Sequence, residues 1–184
     1  MSDGEVVARS VEDPRVFEEL VTSLGPRLHA YLARRAPQYA DDLLSEVWLE
    51  AFRSRQQYDA GRGEVAAWLF GVARHVLIGH LRRAGRGSGA SPAERVHVED
   101  WDGVDQRLDA VGLAPALRHA LAALPVAERE VLLLVAWEQL SPTEAAAVLG
   151  IPAGTARSRL HRARNRITDA WSPSPTATRG GQRS

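Results

Sequence analysis

The residues between positions 157 and 165 have the types and spacing that suit contact with nucleic acid. A helical reading of this segment places an apolar stripe on one side, at steps of four and three, formed by Ala156, Leu160, Ala163 and Ile167. The opposite side carries Arg157, Ser158, His161, Arg162 and Asn165. Arginine can donate two hydrogen bonds to guanine or phosphate, and asparagine can pair with adenine. The pattern therefore predicts a helix that binds DNA.

A helix-turn-helix is the unit that would position these side chains. Ser141 predicts an N-cap, Pro142 suits the first helical position, and Glu144 completes a capping box. Gly150 predicts the end of this first helix, and a second helix is expected to begin at Pro152 or Ala153. A short helix, a turn containing glycine and a longer basic helix are typical of DNA-binding helix-turn-helix units.

Charge along the chain favours DNA contact over the alternative, an ordinary solvated basic helix. The chain has 23 basic and 23 acidic residues, so its formal charge is zero. Residues 151–184 nevertheless carry seven arginines against Asp169 alone, which makes this segment strongly basic. No acidic residue lies four positions from these arginines to neutralise the helix, and a basic stripe on one helix is the electrostatic footprint of nucleic-acid binding.

The composition excludes several classes of enzyme. Every basic residue is arginine, and without lysine there is no Walker A loop, kinase-type ATP-anchoring lysine or Schiff base. Without cysteine there is no thiolate zinc site, iron-sulfur cluster or cysteine nucleophile. The six histidines are scattered, and the adjacent Asp41 and Asp42 cannot point the same way on a helix to share magnesium. We expect no catalysis, no metal and no cofactor.

The spacing of apolar residues predicts an all-α chain of two small helical domains joined by a flexible linker. The domains are expected at 11–84 and 114–171, with an acidic, glycine-containing linker at 85–113 and a disordered tail at 172–184. Helix breaks are predicted at Gly25-Pro26, at Pro37 and at 59–63. No segment approaches the ~20 continuous apolar residues of a membrane span, so we expect a cytoplasmic protein without membrane insertion.

Two sets of motifs resemble bacterial RNA polymerase sigma factors of the sigma-70 family. Residues 121–134 (LAALPVAEREVLLL), Leu140-Ser141 and residues 150–164 (GIPAGTARSRLHRAR) resemble region 4. Residues 41–49 (DDLLSEVWL) resemble region 2.2, and residues 63–75 (GEVAAWLFGVARH) resemble the promoter-melting region that follows it. Two helical domains without the domain that lies between them in housekeeping sigma factors match the extracytoplasmic-function (ECF) group.

The resemblance implies which residues bind DNA. Those expected to contact the minus-thirty-five element are Thr155, Arg157, Ser158, Arg159, His161, Arg162, Arg164 and Asn165. Those expected at the minus-ten element are Tyr58, Arg62, Trp68, Arg74, His75, Arg82 and Arg83. The loop from Tyr58 to Gly63 is a candidate pocket for a base pulled from the duplex. By helical spacing Trp68 is mostly a core residue, and Tyr58 is either a loop cover or a pocket residue.

The resemblance also implies protein partners. On a helix from Ala40 to Ser54, the core stripe is predicted to comprise Leu44, Val47, Trp48 and Ala51, and the other face to comprise Asp42, Ser45, Glu46, Leu49 and Arg53. Sigma factors of this family dock the equivalent face on core RNA polymerase; without the resemblance, Asp42 and Glu46 are more simply a solvated surface. An anti-sigma factor is a further expected partner of the ECF group.

Departures from the family pattern bear on promoter preference. His75 stands where the family usually has asparagine, Gly79 where it has an acidic residue, and His161 where a large apolar or aromatic residue is common.

From Val65 to Leu81, the predicted buried stripe is Trp68, Leu69, Val72, Val76 and Leu81, which leaves Ile78 on the side available to nucleic acid.

Three classes of function compete for these patterns. The reading that fits best is a sigma factor that binds core polymerase and promoter DNA. The alternative is a freestanding helix-turn-helix regulator whose N-terminal part senses a ligand or dimerises, and a sensor would need an apolar pocket. A nucleic-acid-processing enzyme would need paired carboxylates, which the chain does not offer at Asp41 and Asp42.

Overall fold

The computed structural model describes residues 1–84 and 115–171, and within them the secondary structure is helical, which confirms the all-α class. The helices are α1 Asp3–Ser10, α2 Glu18–Ala33, α3 Ala40–Ser54, α4 Val65–Ala84, α5 Pro115–Ala122, α6 Val126–Ala136, α7 Pro142–Leu149 and α8 Ala153–Trp171. Helices α1–α4 form an N-terminal domain and α5–α8 a C-terminal domain. The predicted linker at 85–113 and tail at 172–184 lie outside the described residues. No helix in the described ranges combines the length and apolar character of a membrane span.

Helix α1 precedes residue 11, where the sequence places the start of the N-terminal domain. Ser2 caps it, since the Glu5 amide donates to the Ser2 hydroxyl at 3.3 Å and the Ser2 amide donates to the Glu5 carboxylate at 2.7 Å. Val6 and Val7 are buried in the core of the N-terminal domain. Its eight residues are too few for periodicity alone to distinguish them from a polar terminus.

The predicted helix break at Gly25-Pro26 is wrong, because α2 continues through both residues. Pro26 is exposed, whereas Leu20, Leu24 and Leu28 are buried on the opposite side. A proline inside a helix costs about 3 kcal/mol, and burial of each leucine returns ~1.5–3 kcal/mol. The breaks at Pro37 and at 59–63 are confirmed by short 3₁₀ turns, Pro37–Tyr39 and Ala60–Arg62.

Helix α3 has the bounds predicted for it, but its buried face is rotated slightly from the expected one. Leu43, Val47 and Ala51 are fully buried, and Leu44 and Trp48 are half-buried.

The stripe predicted for α4 is partly wrong. Leu69, Val76 and Leu81 are buried as expected, but Trp68 and Val72 are half-buried, and Ile78 packs against the core instead of facing nucleic acid. Phe70, Ala73 and Leu77 complete the buried face.

The predicted helix-turn-helix is confirmed in α7 and α8. The Glu144 amide donates to the Ser141 hydroxyl at 3.2 Å, and the Ser141 amide donates to the Glu144 carboxylate at 2.6 Å. Helix α7 ends at Gly150, which has φ 66° and ψ 36°. The apolar stripe of α8 is buried at Ala156, Leu160 and Ala163, and half-buried at Ile167.

The two domains contact each other through the packing of α7 on α4 and through the turn between α6 and α7. Glu138 in this turn is 2% exposed, and its carboxylate accepts a hydrogen bond from Arg34 while its carbonyl accepts one from Arg27. The Arg34 guanidinium also lies 5.0 Å from the centre of the Trp137 ring. Leu134, Leu140, Ala145 and Val148 join the hydrophobic cluster of the N-terminal domain. We call this arrangement the closed form.

Candidate nucleic-acid interface

Helix α8 presents its candidate DNA-binding residues on three sides. Ser158, His161 and Asn165 are exposed on the side opposite the buried stripe. The Asn165 side-chain amide lies 3.2 Å from Nε2 of His161, one turn away. The Ser158 hydroxyl donates to the carbonyl of Thr155 at 2.9 Å. These polar groups form the outer face of the helix, and their donors and acceptors suit base edges in a major groove.

A second group lies on the side of α8 that faces α6. The Arg162 Nε donates to the Glu128 carboxylate at 2.8 Å, and the Arg166 Nε lies 3.1 Å from its other oxygen. Thr155 and Arg159 share this side of the helix and are half-buried. Arg162 is therefore held by a buried carboxylate of a neighbouring helix. Glu128 was not predicted, because helical periodicity does not identify a carboxylate contributed by another helix. Arg166 was not predicted either, although its spacing of four residues from Arg162 places it on the same side of α8.

The remaining two candidates of α8 lie on its third side. Arg157 is exposed, and its Nε donates to the carbonyl of Ala153 at 3.3 Å. Arg164 lines an apolar groove of about 420 Å³ between α5, α6 and α8, next to Trp137 and Ile167. Arg164 is thus on the groove side of the helix and is separated from the outer face formed by Ser158, His161 and Asn165.

The loop before α4 and the first turns of α4 form a pocket of about 490 Å³, which is within the ~300–1,000 Å³ of small-molecule sites. Its walls bring together four of the minus-ten candidates, namely Tyr58, Arg62, Trp68 and His75. The Tyr58 and Trp68 rings lie 5.3 Å apart, and the Tyr58 hydroxyl donates to the carbonyl of Gly63 at 3.0 Å. Trp68, expected mostly in the core, is therefore a wall of the pocket as well.

The charges around this pocket suit a base better than a phosphate. Glu50, Asp59 and Glu64 line it together with the single arginine Arg62. Burial raises the pKa of the Tyr58 hydroxyl, and the negative charges of Glu64, Asp3 and Asp59 raise it further, so the phenol stays neutral. Carboxylates repel a phosphate but accept hydrogen bonds from the amino groups of bases. Ala147 of α7 closes one side of the pocket, a contribution that sequence analysis missed.

The other minus-ten candidates lie along α4 outside the pocket. Arg74 is half-buried, and its Nη2 lies 3.6 Å from the carboxylate of Glu130 in α6, so it faces the C-terminal domain in the closed form. Arg82 is exposed near the end of α4. Arg83 is also exposed and lies 3.4 Å from the carboxylate of Glu46. Of these three, Arg82 and Arg83 are accessible to nucleic acid in the closed form.

The candidate polymerase-binding residues form one continuous exposed face of α3. Asp42, Ser45, Glu46, Leu49 and Arg53 lie along it, and Leu49 is 57% exposed. A smaller cavity of about 200 Å³ between α3 and α4 is lined by Glu46, Leu49 and Arg53 together with His75 and Arg83. The polymerase-binding and minus-ten candidates are therefore neighbours across the groove between these helices.

Within residues 1–84 and 115–171, no group of three or more histidine and carboxylate side chains is placed to hold a metal ion. Asp41 and Asp42 are both exposed, and Asp41 lies 3.1 Å from Nε2 of His29.

Comparison with known proteins agrees with this architecture. The family model described as Sigma-70 region 2 matches residues 20–87, and the model described as Sigma-70, region 4 matches residues 115–167. The ECF RNA polymerase sigma factor SigM of Mycobacterium tuberculosis is 33% identical over 171 residues, covering 90% of this chain and 83% of SigM.

Solved structures share the fold. The structure of CnrH in complex with the cytosolic domain of CnrY has a TM-score of 0.64 at 23% identity, covering 91% of this chain and 95% of CnrH. The sigma factor RpoE in complex with the anti-sigma factor NepR from Bartonella quintana has a TM-score of 0.58 at 22% identity, covering 86% of this chain and 98% of RpoE.

The fold and the matched regions define a transcription initiation factor built from two helical domains. The chain belongs to the sigma-70 family of RNA polymerase sigma factors, within the ECF group.

Proposed function

We propose that this sigma factor binds core RNA polymerase through the exposed face of α3 and directs it to promoters. In this proposal the outer face of α8 reads the minus-thirty-five element, and the pocket at Tyr58 and Trp68 captures an unstacked base of the minus-ten element. The observation that carries the proposal is the pocket, because it combines two aromatic walls, neutral Tyr58 and acceptor carboxylates in one cavity. The aromatic rings of such a cavity can replace the stacking energy that a base loses when it leaves the duplex, and its carboxylates do not attract phosphate.

The closed form cannot contact both promoter elements at once. Ala147 lines the pocket, and Asn165 near the far end of the DNA-reading face is 18 residues further along. Six of these steps span at most ~3.6 Å each and the twelve along α8 rise 1.5 Å each, so the pocket wall and Asn165 are within about 40 Å. Positions −35 and −10 are about 85 Å apart along B-DNA at 3.4 Å per base pair. The domains must therefore separate on the promoter.

The chain is long enough for that separation. Residues 85–114 connect the two described parts, and a segment of this length spans up to about 100 Å when extended. Two modules that bind separately are weak, but a common scaffold raises their effective concentration on DNA. Core polymerase is the scaffold in this proposal, and the protein alone is expected to bind promoters poorly.

An anti-sigma factor is the second partner that we propose. One of the solved relatives is described in complex with an anti-sigma factor. The exposed Leu49 on the α3 face would be covered by either partner, so an anti-sigma factor and polymerase would compete.

The experiment that tests the function is transcription in vitro with core polymerase from a related bacterium, with and without the protein, on a pool of genomic promoter fragments. Sequencing of the transcripts should show new start sites that share two upstream motifs at a fixed spacing. Binding of the protein to duplex DNA without any new start sites would contradict the proposal and would indicate a freestanding regulator instead.

A further inference from the structure

The carboxylate of Glu128 is buried in the C-terminal domain. It lies in the first turn of α6 and is 6% exposed, yet it contacts two arginines of the neighbouring α8. A buried charge is expensive unless it is paired and hydrogen-bonded. One carboxylate oxygen accepts a hydrogen bond from Arg162, and the other lies 3.1 Å from the Arg166 Nε in an ion pair without hydrogen-bond geometry.

The two arginines keep most of their hydrogen-bonding capacity. Both contacts to Glu128 are made by the Nε atoms, and a guanidinium has five N–H groups in total. Each side chain is about half exposed, 52% for Arg162 and 56% for Arg166. The terminal nitrogens of both guanidinium groups are therefore available to an anion in solution. The contacts of the Nε atoms with Glu128 hold the guanidinium groups on the side away from that anion.

Glu128 also makes it possible for the two positive charges to lie side by side. Arg162 and Arg166 are four residues apart on one helix, a spacing at which like charges destabilise the helix. A shared carboxylate offsets this repulsion and leaves a net charge of +1. It also holds two long side chains in one geometry before binding, which lowers the entropy lost when they contact a ligand.

We propose that Glu128, Arg162 and Arg166 form a unit that binds the backbone phosphates of duplex DNA, with Glu128 as its positioning residue. This inference rests on the proposed function and deepens it, because it assigns separate roles to two sides of α8. The two arginines bind the phosphates and set the position of the helix on DNA, while Ser158, His161 and Asn165 on the outer face contact the bases. Phosphate contacts position a protein on DNA and base contacts specify the sequence.

The test is the salt dependence of duplex binding by the full chain, measured by fluorescence anisotropy with a labelled duplex that contains no promoter. Each phosphate contact contributes about 0.9 to the slope of log K against log salt. The double variant R162A/R166A should lower the slope by about 1.8. Arg15→Ala is the matched control, because Arg15 is exposed on the N-terminal domain and pairs with Asp13 there; it should leave the slope unchanged.

The same double substitution is then made in a Glu128→Gln background. It distinguishes a Glu128 that orients the two guanidinium groups from a Glu128 that only offsets their positive charge. Glutamine offers one acceptor oxygen, and its amide hydrogens would face the second guanidinium. Positioning predicts that R162A/R166A then lowers the slope by about 0.9 or less. If R162A/R166A still lowers the slope by about 1.8 or more in this background, the inference is overturned. That result would mean that the two arginines contact phosphates equally well without Glu128.

R162A/R166A removes both partners of the buried Glu128, so its fold is checked first by melting curves and far-UV circular dichroism, and R162Q/R166Q replaces it if it is unfolded. The same measurements must show that the Glu128→Gln protein is folded. If it is not, Glu128→Asp replaces it, because aspartate keeps the charge but does not reach both guanidinium groups; the same reduced effect of R162A/R166A is expected, and an unreduced effect overturns the inference. Because the probe contains no promoter, the result does not depend on polymerase. Absence of start sites in the transcription assay would therefore contradict the proposed function and leave the phosphate unit standing.

Discussion

The ring and the hydroxyl of Tyr58 act on different groups. The ring lies 5.3 Å from that of Trp68 across one wall of the pocket, and the hydroxyl donates to the carbonyl of Gly63 in the loop. A base captured in the pocket would stack on the ring, whereas the hydroxyl only fixes the loop. The two contributions can be separated because phenylalanine keeps the ring and removes the hydroxyl.

Tyr58→Ala should lower the yield of melted promoter complex about 5- to 150-fold, since base–aromatic stacking contributes ~1–3 kcal/mol. Tyr58→Phe should lower it only a few-fold, the effect of one hydrogen bond of about 0.5–1.5 kcal/mol. Permanganate reactivity of unpaired thymines in the complex with polymerase measures both. Equal losses in the two variants would show that the loop hydrogen bond is what matters and that the base does not stack on the ring.

Leu49 allows polymerase binding to be tested without disturbing the fold. Because it is 57% exposed, Leu49→Ala should change the free energy of unfolding by less than about 0.5 kcal/mol. An apolar anchor in an interface contributes more than about 1 kcal/mol, so affinity for core polymerase should fall at least about fivefold. Val21→Ala on α2 is the control, because Val21 is exposed and outside the α3 face. Equal affinity of the two variants would argue against the α3 face as the docking surface.

At the scale of elements, the turn between α7 and α8 depends on the backbone of one residue. Gly150 has φ 66°, and its amide donates to the carbonyl of Ala147 at 3.2 Å. A methyl group there would meet nothing within 4 Å, so the penalty of a side chain is conformational and not steric crowding. Gly154, in the first turn of α8, also has open space around it but has no positive φ.

Gly150→Ala should therefore destabilise the protein by about 1–2 kcal/mol, the cost of a left-handed conformation for alanine. Gly154→Ala should be neutral or stabilise it by up to ~1 kcal/mol, because alanine favours the helix. Denaturant unfolding monitored by circular dichroism compares the two. A Gly150→Ala protein as stable as the unchanged chain would mean that the turn adopts another conformation in solution.

Elements whose local chemistry agrees with their packing were predictable. The capping box at Ser141, the stop at Gly150 and the stripe of α8 are short-range features, and each was confirmed. The prediction at Pro26 was wrong because its neighbours, buried leucines on the far side of α2, outweigh the local penalty. The prediction that Ile78 faces nucleic acid was wrong because a helix that packs on several partners has a buried arc wider than a single stripe. Trp68 packs against the core as expected and also lines the pocket.

Ion pairs between side chains of different helices could not be predicted from the sequence. The partners of Arg162, Arg74 and Arg34 are carboxylates on other elements, namely Glu128, Glu130 and Glu138. Spacing along one helix carries no information about which side chain of another helix will face it. The composition of the α8 surface was therefore predictable, whereas the division of its arginines between partners was not.

At the scale of the whole molecule, a buried ion pair joins the two domains in the closed form. Glu138 is 2% exposed and accepts a hydrogen bond from Arg34, so removing its charge leaves a guanidinium with a weaker partner in the interface. Breaking a buried pair by changing one member costs about 3–5 kcal/mol. The effect should fall on the contact between domains, because Arg34 belongs to the N-terminal domain and Glu138 to the C-terminal domain.

Glu138→Gln should shift the protein from the closed form towards separated domains. The chain has no cysteine, so Gln56→Cys and Ala170→Cys, both at exposed positions, allow two dyes to be attached. Energy transfer between the dyes should decrease in Glu138→Gln and stay unchanged in Glu19→Gln, an exposed control on α2. Unchanged transfer in Glu138→Gln would show that apolar contacts alone hold the domains together.

The contact between Arg34 and Glu138 joins positions 104 residues apart in the chain. A single substitution at either position can loosen the closed form without changing any candidate DNA-binding side chain. In the proposed mechanism, the ease with which the protein becomes active can therefore change during evolution independently of promoter choice, and two lineages with identical target genes can differ in how readily those genes are transcribed.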